Sequence, residues 1–402
     1  MNILFISENF YPESNALANR LYDHAKIWVK HGHQVTILTC APNFPKGKVF
    51  AGYKNKWRYV ETIEGIKVIR IKSYIAENRG LFRRILDYMS FGIHAAIQGL
   101  LVKSPDIIIG SSPQPFAVFA SYFVAKLKRK PFVFELRDLW PESVIAVGAM
   151  GKQNILLRFF AWTIKRMYKF ADIIVSVTDS FKKFLVENEN ISATKIIVCK
   201  NGVNLNEISP TVTREFLRSQ YKLEGKYVVG YVGTIGMAHS ISTIIEAAKT
   251  NDDSRVHFII MGAGAKAETI KQQAEKVENI TFVNSGSRQD AINVLNMLDA
   301  SIVHLKNTPL FKTVIPSKIF EAMALGIPIL IGIKGESHRI VIDEAQAGCE
   351  FEPQNSHSLN KAIALLQRTP YDPQKSIAFV KQYFNRECIA TRMLQEISER
   401  IY

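Results

Sequence analysis

Cysteine is scarce and scattered. Cys40, Cys199, Cys349 and Cys388 are the only four in 402 residues, and no two stand at ligand-like spacing. That excludes a disulfide framework and a cysteine-based zinc site, and suits reduced thiols in a cytoplasmic protein. Long apolar runs are missing too. No stretch reaches the ~18 uninterrupted apolar residues that cross a bilayer. Met1-Asn2-Ile3-Leu4-Phe5-Ile6 lacks the length and basic start of a signal peptide and is expected to be a strand. Low-complexity tracts are absent, which argues for an ordered globular chain.

Acidic residues are also in short supply, and unevenly so. Residues 1–200 carry 29 Lys and Arg against 15 Asp and Glu, whereas residues 201–402 carry 22 against 21. A strongly basic half points to an anionic partner. No nucleic-acid-binding motif is present, so the expected partner is an anionic membrane surface and not nucleic acid. Three segments carry this reading. Arg79, Arg83 and Arg84 lie beside Leu81, Phe82 and Ile85 in a helical stretch from 79 to 103. Leu156 to Lys169 mixes Phe159, Phe160 and Trp162 with Arg158, Lys165 and Arg166. Between them runs Lys126-Leu127-Lys128-Arg129-Lys130.

The length suits two domains. Apolar runs at Ile3–Ser7, Val35–Thr39, Ile66–Ile71, Asp106–Gly110, Pro131–Leu136, Asp172–Val177 and Ile196–Cys199 read as strands of a first α/β domain. The first turn, around Ser14, Asn15 and Ala16, precedes a helix from about Leu17 to His31. Asn201-Gly202 is a turn signal, and a linker is placed at 201–212. Strands at 227–232, 256–261, 280–283 and 301–305 form a second α/β domain, with helices at 267–278 and 289–298 between them. Its Gly233-Thr234-Ile235-Gly236 turn lets a pyrophosphate approach the backbone. Helices are expected from Ser358 and again from about Gln374, with Phe379, Val380, Phe384, Cys388 and Ile389 giving the last one its apolar face.

Residues 316–331 carry the sharpest pattern. Pro316 suits a helix start. Ile319, Phe320, Met323 and Ala324 fall at helical spacing, Gly326 supplies a stop, and 327–331 reads as a buried strand. Glu321 lies inside that helix, where a carboxylate could accept hydrogen bonds from a sugar diol.

This segment resembles the donor-nucleotide signature of retaining GT-B glycosyltransferases of family 4, an E-x7-E pattern closing on an EAMA.G.PVI run. Glu321 matches the second acid, and Thr313 stands in place of the first. Arg137-Asp138-Leu139-Trp140-Pro141-Glu142-Ser143 resembles the RDLWPES run of a bacterial branch that includes L-N-acetylfucosaminyl and related amino-sugar transferases of O-antigen or capsule assembly. Asn201-Gly202-Val203-Asn204 resembles the family's NGVD. Many members hold the diphosphate with an Arg and a Lys at the places of Thr234 and His239, and this chain has neither.

The resemblance implies two Rossmann-like domains facing a central cleft. Residues 1–203 would bind the acceptor, residues 204–384 the nucleotide sugar, and about 385–402 would cross back to the first domain. The implied reaction moves a sugar from a UDP-sugar to a polyprenyl-diphosphate-linked acceptor at the inner membrane face, as in lipopolysaccharide synthesis, with retention and no metal or other cofactor. The donor would be held by Gly233, Thr234, Gly236, Gly264, Lys266, Arg288, Thr313, Val314, Ile315, Ser317, Lys318 and Glu321, with Lys312 in reserve. Lys318 is first choice for the missing positive charge. Ser14 and Asn15 would contact the acceptor. Asp138 would orient hydroxyls, and Arg137 would hold a phosphate or that Asp. A GT-B epimerase and a non-catalytic UDP-sugar-binding partner are the rival readings.

Overall fold

The computed structural model describes residues 1–75, 81–140, 142–146 and 155–402. Arg79 and Pro141 lie outside the described residues, as do the side chains of Leu81, Phe82 and Leu156. The chain divides into two compact units. Unit 1 is Met1–Lys200 with Arg386–Tyr402, and unit 2 is Asn201–Asn385.

Unit 1 is built on eight strands: β1 (Asn2–Ile6), β2 (Gln34–Cys40), β3 (Arg58–Ile63), β4 (Ile66–Ile71), β5 (Ile107–Ser111), β6 (Phe132–Leu136), β7 (Ile173–Ser176) and β8 (Ile196–Val198). Their order is β3-β4-β2-β1-β5-β6-β7-β8. All neighbours are parallel except the β3–β4 pair. Strands buried on both faces read as continuous apolar runs, and β5, β6 and β7 are buried at every position. Helix Ala16–Lys30 covers one face with Leu21, Ala25 and Trp28, and the last helix, Arg386–Ile401, packs beside it through Ala390, Met393, Leu394 and Ile397. The Trp28 indole donates to the Ala390 carbonyl at 2.8 Å. The chain's closing stretch is thus two helices, not one. Pro373–Tyr383 belongs to unit 2, and the break falls at Phe384–Asn385. Phe384 stacks on Phe320 at 4.3 Å. Cys388, expected on an apolar face, is exposed.

Unit 2 has six parallel strands: β9 (Tyr227–Val232), β10 (Val256–Met261), β11 (Ile280–Val283), β12 (Ala300–His304), β13 (Ile329–Gly332) and β14 (Gly348–Glu350), in the order β11-β10-β9-β12-β13-β14. Both units are Rossmann-like, and the order of the parallel strands reverses at β1/β5 in unit 1 and at β9/β12 in unit 2. Ligands of open α/β sheets bind beyond the carboxyl ends of strands at such a reversal.

The Lys318–Ala324 helix starts two residues after Pro316, with the Pro316 carbonyl accepting from the Ile319 amide at 3.2 Å. It ends as its sequence demands. Gly326 has φ +69°, its amide donates to the Met323 carbonyl, and the Ile327 amide reaches the Ala322 carbonyl at 2.9 Å. That pair of bonds is a Schellman stop, which favours glycine at this place.

Candidate active site

In unit 2 the turns after β9 and β10 are zipped backbone to backbone. The Gly233 amide donates to the Met261 carbonyl, Ile235 to Ala263 and Lys266 to Ile235, at 2.9, 2.9 and 3.1 Å. A Cβ at Gly262 would stand 1.8 Å from the Gly233 oxygen, and one at Gly264 2.4 Å from the Ile235 oxygen. Glycine is required here by contact as well as by φ, which is +145° at Gly233 and +153° at Gly264.

Lys318 comes to this turn from its helix. Its Nζ would lie 2.7 Å from a Cβ built on Gly233, and it stands 3.8 Å from the centroid of the Tyr231 ring. The Tyr231 hydroxyl donates to the Thr234 carbonyl at 2.6 Å, so the ring is fixed. Lys318 Nζ is shielded from solvent and has no hydrogen-bond partner among the described residues. Burial, opposed in part by Glu321, pushes its pKa down to about 7.

Two histidines missing from the sequence-based site share this environment. His239 closes the β9 turn, its amide donating to the Gly236 carbonyl, and its Nδ1 is shielded and unpartnered. Burial and the Lys318 charge, opposed in part by a backbone hydrogen bond with Gly236, lower its pKa to about 3. His304 ends β12, on the other side of the strand reversal. The Gln354 amide donates to its Nε2 at 2.9 Å, its Nδ1 is unpartnered, and burial with Lys318 lowers it to about 4. A lone histidine carries no sequence signal; only burial and missing partners mark these two.

The other expected donor residues separate into groups. Glu321 lies in the first turn of its helix, half-buried, with no hydrogen bond to its carboxylate among the described residues. Ser317 precedes it and makes no side-chain cap. Val314 and Ile315 lie in the approach to the helix, and the Val314 carbonyl accepts from the Ser337 hydroxyl. The Thr313 hydroxyl is committed to the Leu310 carbonyl at 2.6 Å. Lys266 and Lys312 are exposed. Arg288 is held by Glu207 at 2.8 Å, which ties it to the segment entering unit 2.

In unit 1 the carboxyl ends of β5 and β6 carry a buried polar network. Arg20 Nε donates to Glu135 at 3.0 Å, and its other nitrogens reach the Cys199 and Lys200 carbonyls. The Ser111 hydroxyl donates to the same Glu135 at 2.7 Å. Burial would raise the Glu135 carboxyl, but Arg20, Arg137 and Ser111 outweigh it and hold it low. Arg137, expected to hold a phosphate or Asp138, also has a structural task, and the Asp138 charge does act on it. Its guanidinium donates to the Ala16 and Leu17 carbonyls at 3.0 and 3.2 Å, so it anchors the start of the first helix. Burial, opposed by Glu135, lowers it to about 10. Asp138 is half-buried, and burial raises it to about 7 against hydrogen bonds from Ser143 and the Leu139 amide. Asn15 caps the Ala16–Lys30 helix through the Ala18 amide at 2.9 Å, and the Ser14 carbonyl accepts from Asn19. Among the described residues no group of three or more His, Cys, Asp or Glu is placed to hold a metal ion.

Comparison with known proteins agrees with this layout. The family model "Glycosyltransferase Family 4" matches residues 17–207, and "Glycosyl transferases group 1" matches residues 213–382. WcaI of Escherichia coli, named as a colanic acid biosynthesis glycosyl transferase, is 24% identical across 99% of this chain and 100% of its own length. A GDP-mannose-dependent alpha-mannosyltransferase of Mycobacterium tuberculosis is 21% identical over 91% of this chain and 88% of its own. Among solved structures, Anabaena HepE in complex with UDP and glucose superposes with TM-score 0.72 at 17% identity, over 98% of this chain and 99% of that one. The chain is a group 1 glycosyltransferase with the GT-B fold.

Proposed function

We propose that this glycosyltransferase moves a sugar, with an N-acetylated amino sugar as first candidate, from a UDP-sugar to a polyprenyl-diphosphate-linked saccharide in bacterial surface-polysaccharide assembly. The observation that carries the donor half is Lys318: a shielded amine with no hydrogen-bond or ion-pair partner among the described residues, set against the glycine turn at the β9/β12 reversal. Glu321, one turn along the same helix, would accept hydrogen bonds from the ribose diol. Asp138 would orient the acceptor hydroxyl. The sugar would move with retention, by front-face displacement, the leaving phosphate taking the acceptor proton while Lys318 balances its charge in place of a metal. HepE's UDP and WcaI's place in colanic acid synthesis favour this donor and pathway class. The mannosyltransferase relative makes a GDP-sugar the competing donor.

The acceptor half rests on a surface of unit 1. Leu86, Met89, Ile93 and Ile97 recur every three or four residues along helix Leu81–Leu100, and all are exposed. Gly92 and Gly99 bring that helix against helix Pro115–Lys128, where a Cβ at Gly92 would meet Phe116 at 2.7 Å. Phe123 and Leu127 on that helix, and Phe159, Trp162 and Phe170 on helix Ile155–Phe170, are also exposed. Lys126, Arg129, Arg158, Arg166 and Lys169 stand among them. Apolar residues interleaved with Lys and Arg suit an anionic bilayer. Among the described residues no helix is long and apolar enough to cross a membrane, so the contact would be peripheral.

The test is nucleotide release from a panel of UDP- and GDP-sugars, with and without lipid-linked acceptor extract, in wild type, Glu321→Ala and Lys318→Ala. Acceptor-dependent release from one UDP-amino sugar, lost in both variants, is expected. Release untouched by Glu321→Ala would remove the site assignment, and turnover of GDP-sugars alone would replace the donor.

A further inference from the structure

Three shielded nitrogens near the β9/β12 reversal act on one another and form no ion pair with an acid among the described residues. Lys318 Nζ, His239 Nδ1 and His304 Nδ1 come from a helix, a turn and a strand end, all three shielded and unpartnered among the described residues. The titratable groups acting on them are few. From β9 comes Tyr231, its hydroxyl already given to Thr234. From the Lys318 helix comes Glu321, which raises the Lys318 pKa but forms no ion pair with it among the described residues. The remaining influences are a backbone hydrogen bond with Gly236, which raises His239, and the three groups' own mutual repulsions. His304 is fixed as a neutral donor, because its Nε2 accepts from the Gln354 amide and the ring hydrogen must sit on Nδ1. Buried nitrogens crowded this way cannot all be charged unless an anion joins them.

We propose that this chain binds its nucleotide diphosphate by taking up a proton on Lys318, with His239 Nδ1–H donating to the same anion. This rests on the reading of unit 2 as the donor site. The proton comes from solvent and adds to the amine lone pair, leaving an ammonium; no bond of the ligand breaks. A guanidinium would need no such step, being charged at every working pH. The β9 turn offers none, because Thr234 and His239 stand there. With the Lys318 pKa near 7, the amine is mostly uncharged in mildly alkaline solution. Donor affinity then depends on pH through the protein and not only through the ligand.

The experiment is titration calorimetry of UDP into the full chain between about pH 8 and 9, above the range where a phosphate group itself titrates. Buffers of low and high ionisation enthalpy are compared. Wild type is expected to show a buffer-dependent heat and an affinity falling about tenfold per pH unit. Lys318→Arg should bind UDP with neither effect, and His239→Asn should bind more weakly while keeping both. If arginine does not fit the buried position, Lys318→Met serves, with weak and pH-independent binding. Tight UDP binding by wild type with buffer-independent heat overturns the proposal and leaves the donor reading standing. Failure to bind either UDP or GDP overturns the donor reading and the proposal with it.

Discussion

Lys318 stands over the face of Tyr231, its ammonium nitrogen 3.8 Å from the ring centroid. The ring gives a buried cation about 2 kcal/mol, less than the several kcal/mol that taking an ion out of water costs. The residue is therefore a burden on folding. In the unfolded chain the amine is charged up to about pH 10.4, and in the folded chain only below about 7. Between those limits the unfolded state binds the extra proton, so stability should rise with pH. Lys318→Met should raise the melting temperature near neutral pH by the equivalent of a few kcal/mol while impairing turnover. Thermal melts at three pH values check this; a destabilised Met variant would contradict the burial argument.

Glu321 should behave in the opposite sense. Its carboxylate makes no hydrogen bond among the described residues, so Glu321→Gln should leave stability within about 0.5 kcal/mol. Loss of charge-assisted hydrogen bonds to a ribose diol would weaken nucleotide affinity about 10- to 100-fold. Equal affinity of both proteins for the nucleotide would move the ribose contact elsewhere.

Asp138 is held near pKa 7 by burial, well above its unfolded value. Below about 7 it carries a proton, and the neutral carboxyl accepts from an acceptor hydroxyl more weakly than the carboxylate. The rate at low acceptor concentration should fall on the acid side of 7, and Asp138→Asn should lose that limb along with most activity. Stability has its own sign. Between about pH 4 and 7 the folded state binds the extra proton, so this group's contribution declines as pH rises. Asp138→Asn should then melt higher than wild type at pH 8 and match it at pH 4.

Strands buried on both faces were the legible part of the fold. Ile66–Ile71 and Val256–Met261 have the bounds that their apolar runs indicate, because a strand covered on both sides needs no polar alternation; Ile280–Val283 also has its expected bounds, as a half-buried edge strand. Arg58–Ile63 is not among the strands expected from the sequence. It is an antiparallel edge strand with four of its six residues exposed, and nothing in its pattern marks a buried face. The closing helices ran together in the sequence because the break at Phe384–Asn385 has neither Pro nor Gly to announce it. At the site, Lys318 was visible because it neighbours a recognisable motif. His239 and His304 were not, since their significance lies in buried nitrogens without partners. Arg137 was legible as functional in type, but the carbonyls it serves are more than a hundred residues away.

Glu135 is the acid on which the polar core of unit 1 depends. It joins Arg20 on the first helix to Ser111 on β5, both buried. Removing one member of a buried pair strands the other, at about 3–5 kcal/mol. Glu135→Gln should show that loss in urea unfolding of the whole protein. The loss should shrink at acid pH, because a carboxyl held low by its partners contributes less once protonated.

The proposed membrane face yields the last prediction. Ile93 and Trp162 are 57% and 51% exposed, and Arg166 stacks on Trp162 at 4.1 Å. A core residue would not be so open, and a purely solvated face would not repeat Leu86, Met89, Ile93 and Ile97 at helical spacing. Two independent terms should hold the protein on lipid. The basic term is about 1 kcal/mol per Lys or Arg near an anionic surface, so replacing Lys126, Lys128 and Lys130 with Gln should weaken partition to phosphatidylserine vesicles about 100-fold. The effect should fade at high salt. Ile93→Ser with Trp162→Ser should weaken partition at every salt concentration, since the apolar term is not screened. Vesicle co-sedimentation at two ionic strengths separates the terms. Unchanged partition in both variants would exclude this face, and loss from neutral vesicles alone would make the basic residues bystanders.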